Sequence, residues 1–133
     1  GAAEALYRSM RSALIESGRA EAPMQAQRLV QAAIALETAR LWIRRAAKEI
    51  EAETAPPSKA VLALLAREVT RQSCDVVLAA VEQSLGMAAH DSKSPIERMR
   101  RDLRMYLCQA APDAKLARAA AGLLGGTGTA EHL

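Results

Sequence analysis

The interior of this chain has to be built almost without aromatic rings. Phe is absent from all 133 residues, and Tyr7, Trp42 and Tyr106 are the whole aromatic complement. Half of the residues are nonetheless hydrophobic, so Ala, Leu, Val, Ile and Met must fill any core. Alanine and straight-chain residues are the strongest helix formers, whereas a β-sandwich would draw on β-branched and aromatic side chains. The composition therefore predicts an all-α fold, and the length suits one domain around a single core.

The spacing of apolar residues divides the chain into five helices. The first is predicted over 2–16, ending near Gly18. A turn through Arg19–Pro23 leads into a long helix over 24–53, whose apolar stripe is Leu29, Ala33, Leu36, Ile43, Ala47 and Ile50, with Arg40 as its polar slot. Pro56-Pro57 must end it, because the residue before a proline resists the α region. A third helix over 58–87 carries Leu62, Leu65, Val69, Val76, Ala80 and Leu85, interrupted by Ser73. Two helices of about 30 residues reach about 45 Å, and a short proline turn between them predicts an antiparallel pair. Residues 86–93 read as a loop, and Ser94 caps a fourth helix that runs to Cys108. Pro112-Asp113 opens a fifth that ends at Leu124. The expectation is an antiparallel bundle of four to five helices over 1–124, with residues 125–133 a disordered, glycine-rich tail.

The segment Ser94-Pro95-Ile96-Glu97-Arg98-Met99-Arg100-Arg101-Asp102-Leu103-Arg104 is the densest in charge. Ser94 suits the N-cap and Pro95 the first helical position, and Glu97 stands where a capping box would place it. On a helix, Arg98 and Arg101 share one face with Met105, and Arg100 and Arg104 share another with Glu97. Arg98, Arg101, Asp102 and Arg104 are therefore ion-pair or anion-binding candidates. Spacing favours a structural network in which Glu97 and Asp102 pair with arginines. The competing reading is recognition of a phosphate or carboxylate, which guanidinium groups fit well.

Other chemistries find little support. Net charge is +3, from 18 Lys plus Arg against 15 Asp plus Glu, and this mixture lacks the concentrated basic face of a nucleic-acid binder. His90 and His132 have no metal-like spacing to any partner, so no metal site is expected. Cys74 and Cys108 read as small buried hydrophobes in a reducing compartment. No uncharged run approaches the length of about 20 residues that spans a bilayer, which makes no membrane span and a cytoplasmic location the expectation.

Several landmarks, in order, resemble the C-terminal helical domain of the acyl-CoA dehydrogenase-like flavoproteins, in a divergent branch. Gly18-Arg19-Ala20-Glu21-Ala22-Pro23 and Gln27 sit where that family has an R-x-x-F-G-x-P turn and a downstream Gln. Glu37-Thr38-Ala39-Arg40-Leu41 resembles the next helix, and Gln83-Ser84-Leu85-Gly86-Met87 resembles the Q-x-x-G-G motif. Pro95-Ile96-Glu97-Arg98 with Arg101-Asp102-Leu103-Arg104 matches best, and Gln109-Ala110-Ala111-Pro112-Asp113 resembles the ending of that branch. The resemblance covers roughly residues 5–124. It implies the bundle of a longer FAD-dependent oxidoreductase, whose N-terminal and β-domains lie outside this chain. It also implies a homo-oligomer, dimer or tetramer, in which Gln83, Gly86 and Met87 approach the FAD of a neighbouring subunit.

The departures are specific. The family's phosphate-contacting Arg and Phe fall on Ser17 and Ala20, the second Gly of Q-x-x-G-G is Met87, and the following Gly-Tyr is Ala89-His90. The family's catalytic base aligns with Ala110, which cannot abstract an α-proton. Some relatives carry their base on the first helix, which makes Glu4 and Glu16 distant candidates. The expectation is a bundle that completes an FAD and acyl-CoA site and holds an oligomer, without catalysis of its own. The alternatives are a stand-alone helical dimerisation module without flavin, and a relative of the flavin monooxygenases that would rely on His90.

Overall fold

A computed structural model of the chain describes residues 1–125. They form five α-helices, α1 (Ala2–Glu16), α2 (Pro23–Ile50), α3 (Ala60–Leu85), α4 (Pro95–Cys108) and α5 (Pro112–Leu124), with 3-10 turns at Pro57–Lys59 and Gly86–His90. No strand occurs among the described residues, so the fold is an all-α bundle. The glycine-rich tail expected over 125–133 and His132 fall outside the described residues, apart from Gly125.

Local chemistry explains most helix ends. Gly18 sits at φ +69, and Arg19 N–H donates to Leu14 O at 2.9 Å while Gly18 N–H donates to Ile15 O at 3.0 Å. This is the paired closure of a Schellman motif, which a glycine at positive φ permits. The α2 helix stops at Ile50, short of the predicted residue 53. The chain then closes a turn from Ala55 N–H to Ala52 O before the prolines, and this lets Lys59 pair with Glu49. Residues 86–90, expected as loop, wind into a 3-10 turn after Gly86 takes φ +56. Ser94 does cap α4, but its Oγ accepts from Ile96 N–H at 3.2 Å. Glu97 does not complete a capping box and lies beside Arg101 instead, at 3.9 Å.

Helices α2 and α3 share the most extensive contact and run antiparallel. Arg28 near the start of α2 reaches the backbone O of Gln83 near the end of α3, while Ala46 packs with Leu62 and Ala66 at the opposite end. Helix α3 is the hub: α1 and α5 pack against it, while α4 lies against α1 and the Gly86–His90 turn and reaches α3 through its arginine side chains. The main core joins Leu6, Met10 and Leu14 of α1 to Val77, Leu78 and Val81 of α3, all fully buried, with Ala32 of α2 and Leu103 of α4. Each large side chain buried this way contributes about 1.5–3 kcal/mol.

The predicted α2 stripe holds in its first half, where Leu29 and Leu36 pack against the main core, but not in its second. The face against α3 consists of Gln25, Ala32, Ala35, Ala39 and Ala46. Ile43 and Ile50 are exposed, as is Ala47. In α3, Leu62 and Ala80 are buried as expected, but Val76 is exposed and Ser73 faces the core. The physical reason is close approach: alanine at the α2 contact lets the two long helices pack tightly, so larger residues are displaced to the flanks. Cys74 is buried, whereas Cys108 is exposed, contrary to the expectation that both are interior.

Candidate functional site

Two features draw together most of the chemistry: a carboxylate clamp between α3 and α4, and a cavity at the other end of those helices. The clamp centres on Glu82, a residue without a role in the sequence reading. Arg100 Nη1 donates to Glu82 Oε1 at 2.9 Å, and Arg104 Nη2 donates to Oε1 and Oε2 at 3.0 Å each. Arg100 also donates to Ala89 O at 3.4 Å, and its Nη2 lies 3.1 Å from His90 Nδ1. Burial pushes the Glu82 carboxyl up, but the hydrogen bonds from Arg104 and Arg100 outweigh it and hold the carboxyl below its ordinary value. Both guanidinium groups are engaged by Glu82. This half of the arginine cluster is therefore a tie between helices rather than an open anion site.

The other half faces solvent. Arg98 pairs with Asp102 at 3.8 Å, with side chains 80% and 60% exposed, and Arg101 is similarly exposed beside Glu97. Of the four predicted residues, Arg104 joins Glu82, while Arg98, Arg101 and Asp102 lie together with Met105 on the outer face of α4. The fold does not gather all four into one site. Glu82 could have been found from sequence, since Asp75 and Glu82 are the only acids in the second half of α3 and Arg100 and Arg104 form an i, i+4 pair that needs a partner.

Gln83, Gly86 and Met87 sit just beyond the clamp. Gln83 is exposed and its backbone O accepts from Arg28 Nη1 at 3.1 Å. Gly86 supplies the positive φ that ends α3, and Met87 is 87% exposed. Arg28 also donates to Gln25 Oε1 at 3.3 Å, which fixes this end of the α2–α3 pair. Ser84 is buried and its Oγ has no hydrogen-bond partner among the described residues.

At the far end, α2, α3 and the α4–α5 turn border a half-open cavity of about 450 Å³. Its apolar walls include Ile43, Ala46, Ala66 and Leu107, with Tyr106 at the edge. Three cations line it, Arg67, Arg71 and Lys115, and among the described residues no carboxylate does. Arg71 is held by Glu68 and Asp75. Arg67 donates only to the backbone O of Gln109, at 3.0 Å, and Lys115 has no side-chain partner among the described residues. The turn closing this end is strained: Ala110 has φ 62 and Ala111 φ 48, a region that costs an alanine about 1 kcal/mol or more. Ala110, the position of the family's base in the resemblance, lines the cavity with a methyl group.

Elsewhere, Glu4 is paired with Arg40 and with the amino terminus of Gly1. The hydrogen bonds from the terminus and Arg40 hold its carboxyl down at about 2, so it is a fixed anion rather than a poised base. Among the described residues, no group of His, Cys, Asp and Glu is arranged to hold a metal ion, and no helix is long and apolar enough to cross a membrane. In comparisons with known proteins, no family model, no curated protein and no solved structure matches the chain.

Proposed function

We propose that this chain is a non-catalytic helical assembly domain, the C-terminal bundle of an acyl-CoA dehydrogenase-like flavoprotein. In that role Gln83, Gly86 and Met87 contact the FAD of a neighbouring subunit, and the bundle holds a homo-oligomer together. The observation that supports this reading is the projecting turn after α3. Its Met87 is 87% exposed, and its base is fixed by Arg28 on one side and by the Glu82 clamp on the other. A rigidly based, outward-facing turn suits a contact made to another subunit. Ala110 leaves the family's base position without a proton acceptor, so the bundle's contribution is binding and assembly rather than α-proton abstraction. The test is the parent protein, purified with its remaining domains. It should carry flavin absorbance, and Met87→Asp should weaken flavin retention. A colourless parent that takes up no added FAD sinks the reading.

A flavin-free dimerisation module is the second reading, favoured by a different observation. Val30, Ile34 and Leu41 are 57%, 61% and 55% exposed, and they recur at helical spacing on the α2 face opposite its buried alanines. The occupant this face suits is a second copy running antiparallel. Arg44 and Lys48 follow Leu41 on the same side, and Gln27 and Gln31 precede Ile34. Antiparallel pairing sets cations against neutral amides, whereas parallel pairing sets them against each other. Sedimentation velocity of this chain should then show a dimer that Ile34→Glu converts to monomer. A monomer at high concentration discards this reading.

A further inference from the structure

The cavity between α2, α3 and the α4–α5 turn has features that assembly does not call for. An apolar cleft of about 450 Å³ lies within the range of small-molecule sites. Ile43 and Tyr106 are 50% and 69% exposed because they border this space rather than pack against another element. A void left by imperfect packing would have no preferred charge. Here the charge is one-sided, with three cations and, among the described residues, no carboxylate on the lining. Two of those cations, Arg67 and Lys115, make no direct ion pair among the described residues: Arg67 donates to a neutral carbonyl and feels the Glu68 carboxylate only at longer range. Arg67 also ties down Gln109, next to the strained Ala110–Ala111 pair, so the rim is fixed in a conformation that alanine does not favour.

We infer that this cavity binds a small amphipathic anion, an apolar body with one carboxylate or phosphate head. The body lies along Ile43, Ala46, Ala66 and Leu107, and the head is held between Arg67 and Lys115. A guanidinium and an ammonium lining the same apolar cleft disfavour a neutral or cationic amphiphile of the same length, because their charge would remain unpaired. Thr70 lines the same space, but its hydroxyl already donates to Ala66 O at 2.7 Å, which leaves the head group to the two cations. The site is built from this chain's own helices and does not depend on flavin binding or on the α2 face.

The test is titration calorimetry of the full chain with decanoate and, separately, decyl phosphate, with decanol and decyltrimethylammonium as controls. Saturable one-to-one binding of at least one anion is expected, with tenfold or greater weakening for both controls. The tighter of the two anions identifies the head group. Arg67→Gln and Lys115→Gln should each weaken binding by about tenfold, one charged contact being worth about 1.4 kcal/mol. Ala63→Trp, placed on an exposed residue of the cavity lining, should abolish binding while far-UV circular dichroism stays unchanged. The inference is overturned if neither anion binds saturably. It is equally overturned if the cationic control binds as well as the anions, or if Ala63→Trp folds and binds like the parent chain.

Discussion

Replacing Glu82 with Gln removes one charge and little volume, and the structure allows its cost to be worked out. The carboxylate accepts from Arg100 at 2.9 Å and from Arg104 at 3.0 Å, but the two partners are unequal. Arg104 is 45% exposed and can turn to water, whereas Arg100 is only 14% exposed and keeps just Ala89 O and His90 nearby. The Arg104 pair is close to a surface ion pair, worth about 0.5 kcal/mol. The Arg100 contact is a partly buried, charge-assisted hydrogen bond, worth about 1.5–2 kcal/mol. Together the loss is about 2 kcal/mol, or about 6–8 °C in Tm for a domain of this size. Urea unfolding followed by far-UV circular dichroism measures it. The pH dependence gives a second check. The folded-state pKa of Glu82 lies below its unfolded value, so on acidification the unfolded chain takes up this proton first. The stabilisation is therefore fully present above the ordinary Glu value of about 4.3 and is lost as pH falls through the folded pKa. The gap between parent and Glu82→Gln should be widest at neutral pH and narrow in acid. A gap below about 0.5 kcal/mol at neutral pH, or one that persists unchanged in strong acid, would refute the clamp as a stabilising tie.

Four further outcomes are expected. Asp102→Ala should change stability by less than about 0.5 kcal/mol, since the side chain is 60% exposed and pairs only loosely with Arg98; a larger loss in urea unfolding would contradict the outward placement. Ser84→Ala should raise stability by about 1 kcal/mol by removing a buried hydroxyl without a partner, and a drop in Tm would mean that the hydroxyl is bonded. Ala111→Gly should stabilise by about 0.5 kcal/mol, because glycine takes φ 48 without strain but loses more freedom on folding; thermal denaturation resolves this. With a maleimide at neutral pH, Cys108 should label quickly and Cys74 only on unfolding, since burial, aided by Asp75, pushes the Cys74 thiol above its ordinary value. Equal labelling rates would contradict the burial of Cys74.

The helices themselves were legible because their boundaries are written in local chemistry. Gly18 at a Schellman turn, Ser94 before Pro95 and Pro112 at a helix start each act within a few residues. The α1, α4 and α5 spans accordingly match the expected ones. Faces were less legible, because they depend on neighbours. In α2 the larger residues Ile43 and Ile50 outranked alanine as core candidates, yet the partner helix selected Ala32, Ala35, Ala39 and Ala46. The clamp shows the same limit: the arginines were visible as a cluster, but their division between solvent and Glu82 follows from how α4 is set against α1 and the turn after α3. The cavity was not legible at all. Its cations come from α3 and α5, its walls from α2, α3 and α4, and no short motif joins them.

The alanine face of α2 links these observations. Once the long helices meet through small residues, the larger apolar side chains cannot all reach the core, and two groups of those left outside it stand together. One group, Val30, Ile34 and Leu41, lies on the back of α2, where a second surface could cover it. The other, Ile43 with Tyr106, borders the cavity beside Arg67 and Lys115. Exposed apolar side chains scattered singly need no explanation, but these are arranged, one set at helical spacing and the other around a cationic cleft. A partner would cover the first and a ligand would fill the second. Because they stand on different faces of α2, the two can be separated by mutation: Ile34→Glu should abolish association and leave decanoate binding intact, and Ala63→Trp should do the reverse. Loss of both functions in either variant would mean that the two surfaces are not independent, and that the close packing of α2 on α3 is what each requires.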